Sequence, residues 1–156
     1  MAGDMFLRVE SARAGALKGE AQDKDHIGWM DISGWSWGMK AHQAMGGATA
    51  ARTSLDSLVV TKPADSATTG LMSVMRNNDL VKKAVLHVRK AGGPAAIVYF
   101  SITIENGRIT GYDISNAGED LVERIEFSFK KITVDYTGQE TRGGKAAATS
   151  FLTEIE

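Results

Sequence analysis

The sequence predicts a mainly β protein, a small antiparallel β-barrel of about eight strands with one α-helix packed on its side. Three observations support this fold: short segments alternate in hydropathy, glycine and turn residues separate them, and only one stretch has helical periodicity. Such a pattern is typical of a barrel or sandwich. With 156 residues and two prolines, residues 1–156 are expected to form a single domain.

The first strand is predicted over residues 5–10, where apolar and charged residues alternate. Residues 27–37 predict the next strand, but the apolar residues within it change parity. One parity contains the tryptophans and the other contains two aliphatic residues: Trp29, Trp35 and Trp37 against Met30 and Ile32. Either residues 33–34 form a bulge, or both faces of the strand are covered, which would require a partner.

The middle of the chain predicts a loop, a strand and the helix. Residues 39–51 are small and almost uncharged, which indicates a long mobile loop, and residues 52–62 return to strand character. Apolar residues then recur at helical spacing over residues 66–75, where Asp65 or Ser66 can cap the helix. Gly70 weakens this helix, so tertiary packing is expected to stabilise it.

The second half contains the clearest strand signals. Asn106-Gly107 predicts a tight hairpin between two strands, and a change of parity predicts a bulge or sharp bend near residues 130–131. Residues 137–148 are small and polar, which indicates flexibility. The predicted strands of this half cover residues 84–90, 97–105, 108–115, 121–136 and 151–155.

Composition excludes several classes of function. The net charge of −1, from 18 basic and 19 acidic residues without blocks of like charge, argues against binding to nucleic acid. No cysteine is present, so thiolate chemistry and disulfides are excluded. The apolar runs are too short for membrane insertion, and the N-terminus lacks the basic region of a signal peptide. No cofactor is expected.

The residues that could support catalysis or bind a metal form no convincing site. Residues 34–38 match the G-x-S-x-G pattern of a serine hydrolase, but a small-residue loop follows Ser36 where that motif requires a helix. His26 follows two aspartates in a segment too poor in ligands for calcium, and His87 is expected at the surface. The chain is therefore not expected to be an enzyme.

Several short motifs together resemble the haemolysin-coregulated protein (Hcp) family. In order, these are Asp4-Met5-Phe6-Leu7, Lys18-Gly19-Glu20 with Asp23-Lys24, Trp35-Ser36-Trp37-Gly38-Met39, Thr61-Lys62-Pro63-x-Asp65 and Arg89-Lys90-Ala91-Gly92-Gly93. Each motif is weak alone, but their ordered combination along nearly the whole chain is specific.

The resemblance implies a structural subunit of a type VI secretion tube. Hexameric rings would stack, be expelled, and carry or chaperone small effectors in the lumen. The tube-tip spike protein and the contractile sheath would be further partners. Assembly would be cytoplasmic, followed by secretion without a signal peptide.

Candidate site residues follow from this resemblance. Ser36 is the candidate for the channel lining, because it should face away from the neighbouring tryptophans. Trp29, Trp35 and Trp37 are the candidates for the subunit interface. Candidates for ring stacking lie in the small-residue loop: His42, Met45, Gly46 and Gly47.

Two alternatives remain open from the sequence: a phage-tail-tube-like protein, and a monomeric β-domain that binds a small ligand through exposed tryptophans. The sequence does not say which effectors are carried.

Overall fold

The computed structural model describes residues 4–42, 52–90, 97–139 and 145–155. In chain order its elements are β1 (Met5–Ser11), β2 (Gly15–Ala16), β3 (Met30–Asp31), β4 (Gly34–Ser36), β5 (Met39–His42), β6 (Arg52–Leu55), β7 (Leu58–Pro63), α1 (Thr68–Arg76), β8 (Val81–Arg89), β9 (Val98–Gly107), β10 (Ile109–Ala117), β11 (Asp120–Phe127), β12 (Lys131–Gln139) and β13 (Lys145–Glu154). The mainly β fold class with a single helix in the described ranges is confirmed.

Two antiparallel sheets carry most of the strands. The first runs β13-β12-β9-β8-β1, and β2 and β3 both pair with the far side of β1. The second runs β10-β11-β7-β4, and β5 pairs with β6 in a separate ribbon. Hydrogen bonding among the described residues thus gives separate sheets, where the sequence predicts one closed barrel. The described residues form thirteen strands against the expected eight, because three of the predicted strands are each divided in two and because β2 and β5 are additional.

The core is one apolar cluster that both sheets contribute to. Its fully buried members include Leu7, Val9, Leu86, Ile102 and Ile104 from the first sheet, and Leu58, Val60, Ile125 and Phe127 from the second. Each such side chain contributes roughly 1.5–3 kcal/mol relative to an exposed one. This burial holds the two sheets face to face.

The helix lies where the sequence predicts it, with boundaries shifted by one or two residues. Ala67 occupies the N-cap position without a side-chain cap, while Asp65 accepts a hydrogen bond from the Ala67 backbone N–H at 2.9 Å. Leu71 and Val74 are buried in the core. A Cβ on Gly70 would come within 3.2 Å of Leu17, so this glycine allows close packing against the chain after β2.

The change of parity among the apolar residues of 27–37 has a topological cause. The predicted strand over residues 27–37 is two strands: β3 pairs with β1 in the first sheet, and β4 pairs with β7 in the second. The chain therefore crosses between sheets near Ser33, which reverses the faces of the apolar residues. The predicted strand over residues 52–62 is likewise divided, into β6 and β7.

The Asn106-Gly107 hairpin prediction is wrong. β9 pairs with β8 and β12, whereas β10 pairs with β11, so this corner takes the chain from one sheet to the other. Asn106 adopts φ 56°, and a Cβ on Gly107 would lie 1.8 Å from the Ser128 carbonyl oxygen. The predicted bend near residues 130–131 is confirmed, because β11 and β12 also belong to different sheets.

Two segments predicted as loops are partly strand. The loop over residues 39–51 begins with β5, which pairs with β6, and residues 43–51 lie outside the described residues. The flexible segment over residues 137–148 is partly wrong, since Thr137 pairs with Ala148 and Gln139 with Lys145. In the described ranges, no helix is long and apolar enough to cross a membrane.

Candidate assembly surfaces

Ser36 lies on β4, at the edge of the second sheet. Its side chain is exposed, while the Trp35 ring packs toward the core and stacks on Phe100 with centroids 5.3 Å apart. Ser36 also borders a surface cavity of about 430 Å³ shared with Lys40, Asp56 and Glu126. The position agrees with a side chain directed away from the molecule's interior, which a channel-lining residue requires.

The three tryptophans occupy different environments. Trp35 and Trp37 are half-buried and pack against the core cluster. Trp29 is half-buried in the loop before β3, where its ring packs against His87 at 4.7 Å. The Trp37 Nε1 is buried and has no hydrogen-bond acceptor among the described residues. Trp29 therefore packs over β8, on the outer face of the first sheet.

His42 ends β5, is exposed, and lies with its Nε2 3.1 Å from the Ser54 hydroxyl of β6. The other three stacking candidates, Met45, Gly46 and Gly47, lie outside the described residues.

Exposed apolar side chains lie at both ends of the first sheet. We call Tyr136, Phe151 and Leu152 the β13 edge patch; their exposed fractions are 50%, 42% and 54%. Alternation along the strand places Phe151 and Leu152 on opposite faces of β13. At the other end of the sheet, Ile27 is 73% exposed beside Trp29, and we call these two residues the loop patch.

A buried charge network ties the helix to the second sheet. Lys62 Nζ donates to Glu123 Oε2 at 2.5 Å, to Asp65 Oδ1 at 3.0 Å and to the Pro63 carbonyl at 3.0 Å. Lys62 and Glu123 are both fully buried. With three acceptors for its three protons, Lys62 is satisfied, as a buried ammonium must be.

The same carboxylate also organises Thr68 and Tyr112. Glu123 Oε2 accepts the Thr68 hydroxyl at 3.0 Å, and Glu123 Oε1 accepts the Tyr112 hydroxyl. Burial raises the pKa of Tyr112 well above its ordinary value, and the bond to Glu123 adds to the effect. Lys62 is not among the site residues predicted from the sequence; the signal for its burial is its shared parity with Leu58 and Val60, which face the core.

A second polar cluster holds the loop before β3 on the outer face of the first sheet. His26 is 3% exposed; its Nδ1 lies 2.8 Å from Asp23 Oδ2 and its Nε2 lies 3.0 Å from His87 Nδ1. Arg89 Nη1 pairs with Asp23 Oδ1 at 2.7 Å. The prediction that His87 is a surface residue is wrong, because it is half-buried under the loop.

Two titrating groups of this cluster are shifted. The hydrogen bond from His26 lowers the pKa of Asp23 to about 2; Arg89 adds to this effect, and burial opposes it. Burial lowers the pKa of His87 to about 4, assisted by the charge of His26. The cluster therefore favours an ionised Asp23 beside an uncharged His87.

The geometry gives no support to hydrolase chemistry at Ser36. A nucleophile elbow places its serine between a strand and a helix, but β4 is followed by β5. In the described part of the chain, the histidines contact Asp23, Ser54 and each other, and none contacts Ser36. Within those same residues, no group of three or more potential acidic or histidine ligands could hold a metal ion.

Comparison with known proteins identifies relatives along most of the chain. The model of a family described as "Type VI secretion system effector, Hcp" matches residues 6–136. The chain is similar to the protein hcp1 of Pseudomonas aeruginosa, with 34% identity over 150 residues, covering 93% of this chain and 90% of that protein.

Solved structures share the fold at lower identity. A type VI secretion system effector from Yersinia pestis superposes with a TM-score of 0.77 at 23% identity, covering 97% of this chain and 100% of that one. Hcp1 from Salmonella typhimurium gives a TM-score of 0.75 at 21% identity, covering 97% and 95%. The likeness in fold therefore extends over nearly the whole chain.

Proposed function

Because the chain belongs to the Hcp family of type VI secretion effectors, we propose that it is a structural subunit of the secretion tube, in which six copies form a ring and rings stack. In this role it works by assembly, without catalysis, and leaves the cell with the tube. The spike protein, the contractile sheath and small effectors in the lumen are its proposed partners.

One observation supports the ring most directly: the first sheet carries one apolar patch at its β13 edge and a different one toward its other end, in the loop between β2 and β3. The β13 edge patch and the loop patch lie toward opposite ends of the strand order β13-β12-β9-β8-β1. A closed ring uses a heterologous interface, in which one surface of each copy meets a different surface of the next. Two unlike patches toward opposite ends of the sheet fit this requirement.

The edge strand β13 is a second reason to expect a neighbouring copy at this surface. β13 is ten residues long and pairs only with β12 among the described strands. A long edge strand with exposed apolar residues on both faces promotes aggregation unless something covers it. A neighbouring copy that docks its loop patch on β13 would cover the β13 edge patch of one copy and the loop patch of the other.

The ring is tested by mass and by complementation. Wild type is expected at about 100 kDa by native mass spectrometry, six times the 16.7 kDa chain mass. Phe151→Glu and Ile27→Glu each place a charge in one patch, and both are expected to give monomers because an unpaired charge resists burial. Leu121→Glu, a matched change at another exposed leucine away from both patches, should keep the ring.

Mixing the two defective variants makes the test specific for a head-to-tail interface. Ile27→Glu retains the β13 edge patch and Phe151→Glu retains the loop patch, so one intact interface forms per pair. The mixture should therefore give dimers of about 33 kDa and no larger species. Wild type that remains monomeric at micromolar concentration, or a mixture that restores full rings, contradicts the proposal.

The other site candidates remain proposals within this function. Ser36 is proposed to line the channel, and the segment from His42 through Met45, Gly46 and Gly47 is proposed to contact the next ring. The chain contains no cysteine, so Ser36→Cys gives a single thiol. Its accessibility to a bulky maleimide in capped and open tubes tests the lumen assignment.

A further inference from the structure

We propose that the His26–His87 pair is an acid-operated latch, which holds the loop of residues 17–29 on the first sheet at neutral pH and releases it on acidification. The consequence for assembly rests on the proposed function, since this loop carries Ile27 and Trp29. The latch itself is a property of the single chain.

The two rings help to hold the loop on the sheet, together with the Asp23–Arg89 ion pair and the backbone hydrogen bond from the Leu17 N–H to the Val9 carbonyl. His26 stacks on Phe6 of β1 with centroids 4.1 Å apart and planes 8° from parallel. His26 Nε2 reaches His87 Nδ1 of β8 at 3.0 Å, and the Trp29 ring covers His87. Breaking the contact between the histidines therefore removes one of two polar links between the loop and β8; the other is the ion pair of Asp23 with Arg89 at 2.7 Å.

Proton counting shows why the contact is sensitive to acid. Only one proton fits between His26 Nε2 and His87 Nδ1, because one nitrogen must donate and the other accept. Either His26 or His87 can supply it, so the pair carries at most one positive charge. If both rings are doubly protonated, two N–H groups and two positive charges face each other across 3.0 Å.

The charged groups around the histidine pair also favour a single positive charge on it. Asp23 binds both His26 and Arg89, and Arg89 also lies 3.8 Å from Asp4. Asp31 of β3 adds a carboxylate nearby, but burial raises the pKa of Asp31, which reduces its negative charge as the pH falls.

The neighbours of His87 supply no compensating charge. Phe6 and Ser101, its partners on β1 and β9, are uncharged. Asp23 contacts His26 Nδ1, and no carboxylate among the described residues bonds to His87.

The direction of the pH effect follows from His87. Its pKa in the closed form is about 4, lowered by burial and then by His26, against 6.5 for a free imidazole. The released form therefore binds the proton first, so stability of the closed loop is complete above about pH 6.5 and is lost as the pH falls toward 4. From these values, lowering the pH from 7.5 to 5.0 should favour the released loop about 30-fold.

Hydrogen exchange of the full chain tests the latch. After correction for intrinsic rates, amide protection of residues 17–29 in wild type should fall about 30-fold between pH 7.5 and 5.0. His87→Gln keeps a hydrogen-bonding group that does not titrate, so it should abolish this fall. His42→Gln removes a histidine elsewhere and should keep it. An equal fall in His87→Gln, or none in wild type, overturns the proposal.

Two further measurements make the result decisive. In ¹⁵N-imidazole spectra of wild type, the protonation midpoint of His87 should lie below that of a free imidazole; a half-protonated His87 near pH 6.5 overturns the latch even if the variant fails to fold. Native mass spectrometry at both pH values then tests assembly. Rings lost at pH 5.0 in wild type but kept in His87→Gln support coupling to the ring, and rings unaffected by pH refute it. Absence of rings at every pH refutes the proposed function while exchange still decides the latch.

Discussion

At the scale of single residues, the molecule contains two ionic clusters, one around Lys62 and one around His26, that differ in their effect on the structure. The network around Lys62 is fully buried and saturated with hydrogen bonds, so it fixes α1 on the second sheet. The cluster around His26 lies on the outer face and contains a histidine that resists protonation. A saturated network without access to solvent favours one conformation, whereas a proton shared between two histidines makes their contact depend on pH.

Breaking the buried pair should be costly. Lys62→Met leaves the Glu123 carboxyl group in the core, still bonded to Thr68 and Tyr112 but without the ammonium group beside it. We expect a loss of about 3–5 kcal/mol in the free energy of unfolding, measured by denaturant titration at fixed protein concentration. The double variant Lys62→Met/Glu123→Leu should recover part of this loss, because it removes both charges.

A surface pair provides the control. Lys131 and Glu105 are 3.7 Å apart and both about one-third exposed. Lys131→Met should therefore cost less than about 1 kcal/mol. If Lys62→Met costs no more than this, the buried network does not anchor the helix as described.

At the scale of elements, the sequence predicts strands better than it predicts their partners. Alternation located β1, β8 and β9 to within a few residues, because one face of each strand lies on the core. Alternation contains no information about which sheet a strand joins. Asn106-Gly107 is a strong hairpin signal by local geometry, yet here the same left-handed turn serves a crossing between sheets.

The candidate site shows the same limit. Strand parity alone predicts that the Ser36 side chain faces away from the neighbouring Trp35 side chain. The pairing of His26 with His87 joins residues 61 positions apart. No local pattern contains that contact, so the sequence could not predict it.

The crossing at Gly107 should be intolerant of any side chain. A Cβ there would meet backbone atoms, the Ser128 carbonyl oxygen at 1.8 Å and the Phe129 Cα at 3.0 Å. Because backbone cannot rotate away, Gly107→Ala should cost at least about 3 kcal/mol of unfolding free energy, the upper end for overpacking.

Gly111 offers a matched control in the next strand. A Cβ there would meet the Glu126 carboxylate oxygen at 2.3 Å, but that side chain can turn into solvent. Gly111→Ala should therefore cost under about 1 kcal/mol. Thermal melts of both variants decide the matter, and equal costs would show that the crossing can relax.

At the scale of the whole molecule, the two sheets have different roles in the proposed function. The first sheet carries both apolar patches and the histidine latch, while the second carries Ser36 and receives the helix through Lys62. Assembly and its regulation would thus depend on one layer, and the channel wall on the other. This separation allows changes in the loop to affect the ring without disturbing the buried network.

The nature of the interface predicts how the ring responds to salt. The two patches consist of aliphatic and aromatic side chains, and the chain has a net charge of only −1. Raising NaCl from 0.1 to 1 M shortens the screening length from about 10 to about 3 Å, which weakens contacts between exposed charges but not apolar burial. Ring mass at pH 7.5, followed by sedimentation velocity, should therefore stay constant across this range, and ammonium sulfate should protect the ring against dilution. Dissociation of the ring in 1 M NaCl would show instead that charged residues outside the two patches hold the copies together.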